Sequence, residues 1–133
     1  MLEVSAGVIV SGTKVLVFQR GESRYPYISG KYEFPGGKIE KGENPLQALE
    51  RELHEELDLD IAGARTEFLC DTSHGYPDFA VRLYTYLIFM DDVPFTLSEH
   101  QMAVWSEIRD LPKFDWAEAD RDIVSSLMSR MEQ

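Results

Sequence analysis

The sequence predicts an α/β fold in which a mixed β-sheet carries helices on both faces. Three observations lead there. Runs rich in β-branched and aromatic residues at 3–10, 14–20, 64–71 and 79–90 read as strands. Leucines recur at helical spacing over 45–57, in the middle of the chain. A second amphipathic run closes the chain at 116–131. Helices on either side of strand-rich sequence favour an α/β/α sandwich. The 133 residues fit one domain spanning 1–133, and no repeat, low-complexity tract or linker divides them.

Taken in order, the first two strands join as a hairpin at Ser11-Gly12-Thr13. Gly21 to Gly30 holds Pro26 and two tyrosines without periodicity, and reads as a loop. A short strand at 31–35 ends in Glu33, Phe34 and Pro35, then runs into a tight turn at Gly36-Gly37. Asn44 is placed to cap the next helix, with Pro45 at its first position and Gln47 placed to complete a capping box. Leu46, Leu49, Leu53 and Leu57 form its buried stripe. Ser73 to Asp78 reads as the turn between the two longer strands, and 102–106 as a further strand. Asp115 is placed to cap the final helix, whose inner face carries Ile123, Val124, Leu127, Met128 and Met131.

The chemistry concentrates in the central helix. Glu52, Glu55 and Glu56 stand at i, i+3 and i+4, which places three carboxylates on one face. Such a cluster repels itself unless a cation lies between its members. A hard divalent cation such as Mg²⁺ takes oxygen ligands of this kind and also grips phosphate oxygens. Glu43 and Arg51 flank the cluster with opposite charge, and an ion pair between them would tie the glycine segment to the helix. Read alone, three helical glutamates are usually a solvated face. The strand, double glycine and capped helix before them give this cluster a context that a solvated face lacks.

Composition narrows the partners. Apolar content of 44% is ordinary for a folded soluble protein. A net charge of −11 argues against wrapping long nucleic acid on a basic surface, yet leaves room for a small anionic substrate neutralised locally. The lone Cys70 excludes an internal disulfide and fits a reducing cytoplasm, the expected location. The start MLEVSAGVIV lacks the pattern of a secretory leader, and no apolar run reaches membrane-spanning length, so no membrane partner is expected. His54, His74 and His100 do not have metal-cluster spacing, and Trp105 and Trp116 read as packing residues. The pattern does not speak to oligomeric state.

The run from Gly37 to Leu59 resembles the signature of the Nudix hydrolases. Gly37, Glu43, Arg51, Glu52, Leu53, Glu55, Glu56 and Leu59 fall on its positions; Asp58 departs, where the family has glycine. Aspartate tolerates the left-handed backbone expected there better than most residues do. The resemblance implies a Nudix-type α/β/α sandwich and attack by water on the phosphate chain of a small nucleotide. It implies metal ligation by the Gly36 carbonyl and by Glu52, Glu55 and Glu56, with Mg²⁺ as the cofactor and Mn²⁺ as its substitute. Glu99 is the expected further acid, as ligand or general base, and Arg51 belongs to the catalytic set. Arg20 and Lys38 are expected at the phosphates, and Phe34 and Asp120 at the base. Phe79, Val81 and Leu83 read either as pocket wall or as core.

The stretch YEFPGGKIEKGE is similar to the mutator-type members, which hydrolyse oxidised nucleoside triphosphates to monophosphate and pyrophosphate. Asp120, where those relatives have Asn or Asp, points also to CTP-like pyrimidine triphosphates. Nucleotide sanitation in support of DNA repair is the implied role. Two alternatives stand beside it: removal of pyrophosphate from RNA 5′ ends, and a nucleotide-sensing module without turnover. The complete glutamate set speaks against the last.

Overall fold

Alternation along β1, Leu2–Ser11, sets the layers of the molecule. Its Ala6, Val8 and Val10 enter one core while Ile9 enters another. The computed structural model describes residues 1–97 and 100–131. The further strands are β2 (Lys14–Arg20), β3 (Tyr32–Glu33), β4 (Gly36–Lys38), β5 (Arg65–Gly75), β6 (Ala80–Phe89) and β7 (His100–Glu107). Helix α1 covers Pro45–Leu57, a 3₁₀ turn covers Ile108–Lys113, and α2 covers Glu118–Met131.

One seven-stranded sheet runs β3-β2-β1-β6-β5, with β4 paired to β1 and β7 to β2. β1 and β6 lie parallel from Leu2↔Val81 to Val10↔Phe89, whereas the other pairs are antiparallel, so the sheet is mixed. β2 repeats the alternation of β1. Val15 and Val17 face the α2 core with Ile123 and Leu127, and Leu16 and Phe18 face the α1 core with Leu49, Leu53 and Leu57. The expected α/β/α sandwich is the observed fold. Each fully buried leucine of α1 contributes about 2 kcal/mol by leaving water.

Helix α1 begins where the sequence places it. Asn44 Oδ1 accepts from Gln47 N–H and Gln47 Oε1 accepts from Asn44 N–H, both at 2.9 Å, a complete capping box. Its end is closed by Asp58 in the left-handed region at φ 52°, with Asp58 N–H and Leu59 N–H donating back to His54 and Leu53 carbonyls.

Three expectations are corrected. Gly36-Gly37 is not a tight turn but part of β4, because both glycines pair closely with Ser5 and Ala6 of β1. The turn before β6 starts at Tyr76, since β5 stays paired with β6 through Gly75. The final helix starts at Glu118, and Asp115 does not cap it. Trp116 instead bridges Tyr32 in extended backbone, and Asp115 takes Lys31 Nζ at 2.8 Å. Leu111 sits in the 3₁₀ turn, a segment for which the sequence suggests no element. The Met131 side chain lies outside the described residues. No helix of the described residues is long and apolar enough to cross a membrane.

Candidate active site

Arg51 organises the acidic end of α1. Its Nε donates to Glu43 Oε2 at 2.8 Å and its Nη2 to Glu43 Oε1 at 3.0 Å, the two-pronged geometry that suits guanidinium and carboxylate. Nη2 also reaches the Lys38 carbonyl at 2.9 Å, which fastens β4 to the helix. Nη1 donates to Glu52 Oε1 at 2.8 Å and Glu55 Oε2 at 3.3 Å. The expected tie between glycine segment and helix is therefore present. The Arg51 hydrogen bond pulls Glu43 below the usual carboxylate range. Arg51 is held above its own range by Glu43 first and Glu52 after it, against the opposing effect of burial.

Gly37 lies directly under this group. A Cβ there would overlap the Glu52 carboxylate, whereas a Cβ on Gly36 would overlap the Ser5 carbonyl. The missing side chains thus make a cradle in which a carboxylate rests on strand backbone. Glu52 is half-buried, Glu55 exposed and Glu56 half-buried on the same helix. Among the described residues no three acidic, histidine or cysteine side chains converge as a ready-made metal cage. Arg51 draws Glu52 and Glu55 to itself instead. The donor set still suits a hard divalent cation: carboxylate oxygens beside a backbone carbonyl, with no soft ligand among them.

A cavity of about 250 Å³ is lined by Gly36 and Gly37 of this cradle together with Val81, Leu83 and Ala119 of the α2 core. Gly36, Gly37, Lys38, Arg20, Phe34, Phe79, Val81, Leu83 and Asp120 line it together. Phe34 stacks on Trp116 with centroids 4.7 Å apart, which fixes the aromatic wall. Trp116 is a packing residue as expected, with Nε1 donating to the Leu111 carbonyl at 2.7 Å. Trp105, in contrast, is 37% exposed on β7.

Among the described residues Asp120 is the one buried carboxyl of this pocket. Its Oδ2 accepts from Phe34 N–H at 2.8 Å. Burial pushes the carboxyl well above the usual range and the nearby Glu33 adds to that; the Phe34 N–H and Arg20 oppose it without prevailing. Asp120 is therefore held toward its neutral form, in which it donates as well as accepts.

The structure thus gathers Gly36, Arg51, Glu52, Glu55 and Glu56 around β4 and α1, and places Arg20, Phe34, Lys38 and Asp120 along one cavity. Glu99 lies outside the described residues. His54 is exposed on α1, whereas His74 lies on β5 and His100 on β7. Two contributors escaped the sequence reading. Tyr76 lines the cavity, and its hydroxyl accepts from Ala119 N–H at 2.9 Å, anchoring the start of α2 beside Asp120. Glu33 lies in the cavity wall and pairs with Arg20 at 2.9 Å. Strand alternation around Phe34 signals that Glu33 faces away from it, but not what it meets.

Comparison with known proteins follows the same lines. The NUDIX domain family model matches residues 1–127. A protein of Mycobacterium tuberculosis named putative 8-oxo-dGTP diphosphatase 2 is 35% identical over 128 residues, covering 93% of this chain and 86% of its own. The CTP pyrophosphohydrolase of Escherichia coli is 30% identical over 131 residues, covering 97% of this chain and 93% of its own. The solution structure of the E. coli ORF135 protein superposes with a TM-score of 0.80 at 28% identity, covering 97% of this chain and 89% of that one.

Proposed function

This chain belongs to the Nudix family of hydrolases, and from that premise we propose that it is a magnesium-dependent nucleoside triphosphate pyrophosphohydrolase for oxidised or non-standard nucleotides. The reaction is attack by water on a phosphorus of the triphosphate, releasing a nucleoside monophosphate and pyrophosphate. The observation that carries this reading is the single cavity that runs from Gly36, Gly37 and Lys38 to Phe34 and Asp120. It offers a phosphate end and a base end within reach of one small nucleotide.

Each residue then has a task. Nudix hydrolases use divalent metal ions, and a bound Mg²⁺ (Mn²⁺ as substitute) offsets phosphate charge, acidifies water and aligns the phosphates. Glu52, Glu55, Glu56 and the Gly36 carbonyl would hold it, with Glu99 as a further acid. Arg51 orders the cluster by holding Glu43, Glu52 and the Lys38 carbonyl together. Arg20 and Lys38 meet the phosphates with positive charge. Phe34 packs along the base, and Asp120, held toward its neutral form by burial, both donates to and accepts from the base edge. An oxidised purine presents both kinds of partner.

The chain's likeness to an enzyme named for CTP supports a second reading within the same reaction, in which pyrimidine triphosphates are preferred. Initial rates with Mg²⁺ over a panel of ordinary and oxidised nucleoside triphosphates, at matched low concentration, decide between the two. The reading predicts pyrophosphate as product and the highest kcat/KM on an oxidised or a cytidine nucleotide. Release of orthophosphate, or no hydrolysis of any triphosphate, overturns it.

A further inference from the structure

The wall of the cavity contains a three-residue link that the reaction outlined above does not account for. Glu33 of β3 receives two donors on one oxygen. Arg20 Nε lies 2.9 Å from Oε1 and His100 Nε2 lies 3.1 Å from the same atom, while Arg20 Nη2 reaches Oε2 at 3.4 Å. A carboxylate facing a guanidinium accepts only, so the imidazole proton facing Glu33 is on Nε2. β2, β3 and β7 each supply one member.

Three features argue that His100 is there for more than packing. Its ring is buried and lies 5.1 Å from Phe18, a position that an apolar residue would fill. Its Nδ1 is buried without a hydrogen-bond partner among the described residues, a cost that an apolar side chain would not incur. The backbone, moreover, is bent to bring it there. Gln19 pairs with Met102, but Arg20 pairs with His100, so one extra residue of β7 bulges and sets His100 opposite Arg20. Bulges of this kind re-aim side chains.

We propose that His100 is a positioning residue that acts through Glu33 to hold Arg20 in the cavity wall for the phosphate chain. Arg20 is 39% exposed, and a long exposed side chain loses little by leaving a single partner. With Nε and Nη2 engaged by Glu33, the guanidinium plane is fixed, while Nη1 makes no hydrogen bond among the described residues. That is the state in which an arginine meets a phosphate with least ordering cost. His100 blocks the competing arrangement, because it occupies the buried side of Glu33 and keeps that carboxylate turned to Arg20.

The phosphate part of the proposal rests on the function proposed above, so the test has one arm that does not. In the free protein, the Arg20 Nε–H resonance in a ¹⁵N NMR spectrum is expected to exchange slowly. His100→Phe, which keeps a packed ring but removes the donor, speeds that exchange, and His100→Gln, which returns a donor near the Nε2 position, restores it. In the kinetic arm, His100→Phe lowers kcat/KM for a nucleoside triphosphate roughly ten- to hundredfold. The same substitution in an Arg20→Ala background has almost no further effect, because the residue it positions is gone. Should His100→Phe fail to fold, His100→Leu takes its place in both arms. Unchanged Arg20 exchange in the folded variant overturns the proposal, and so does an equal loss of activity with and without Arg20. If the wild-type protein hydrolyses no triphosphate, the functional reading falls, and the exchange arm alone judges the link.

Discussion

The two faces of the sheet treat carboxyl groups in opposite ways. On the α1 face, Glu43, Glu52 and Glu55 gather round one guanidinium, and Arg51 pulls Glu43 below the usual range. On the α2 face, Asp120 is buried among apolar side chains, and its carboxyl is pushed well above that range. One residue class thus serves two kinds of chemistry. Where a cation and solvent are at hand, carboxylates present negative oxygens suited to a hard metal. Where burial outweighs the nearby Arg20, the acid is held toward its protonated form, which can donate to a base. The thin bridge between them is β4, whose glycines let the helix cluster rest on the sheet.

The contrast can be broken at either end. The largest effect is expected from Glu56→Gln, which removes a proposed metal-side oxygen. Turnover falls by orders of magnitude while the circular dichroism spectrum is unchanged; near wild-type turnover would remove α1 from the reaction. The two glycines separate fold from site. Gly36→Ala drives a Cβ into the Ser5 carbonyl and costs about 3 kcal/mol in urea unfolding. Gly37→Ala meets first the movable Glu52 side chain, so stability is nearly kept and kcat/KM drops roughly a hundredfold. Arg51→Ala frees Glu43 and the Lys38 carbonyl together and costs about 2 kcal/mol, read by the same unfolding experiment.

On the α2 face the sharper probe is pH. The folded-state value of Asp120 lies above its unfolded value, so the folded chain binds the extra proton. Its contribution to stability is full below the ordinary carboxylate range and is lost as pH rises toward the raised value. The slope is at most about 1.4 kcal/mol per pH unit. Asp120→Asn, which cannot ionise, flattens that segment of the stability curve and removes any fall in base affinity over the same range. An identical pH profile in the variant would show that Asp120 is not the titrating group. Smallest of all, Asp58→Gly relieves a left-handed aspartate at the end of α1 and raises stability by about 0.5 kcal/mol in thermal unfolding.

What could be read from sequence was what local rules decide. The capping box at Asn44, the Glu43–Arg51 pair and a leucine stripe buried at Leu49, Leu53 and Leu57, with Leu46 half-buried, all follow from spacing at α1. Residues set by distant partners were harder to read. Gly36-Gly37 looks like a turn until β1 pairs with it, and Trp116 looks helical until Tyr32 claims its backbone. The reach of Asp120 into the pocket was expected, but not the upward push on its carboxyl, because burial depends on how α2 packs over the sheet. His100 gave no signal in spacing, since a bulge in β7 decides what it faces.

A structure with Mg²⁺ and a non-cleavable nucleoside triphosphate tests the central claim most directly. The two-faced account predicts metal and phosphates against Gly36, Glu52 and Glu56, with the base of the same molecule between Phe34 and Asp120. Density for the nucleotide away from that cavity, or a base turned toward α1 with phosphates at Asp120, would contradict it.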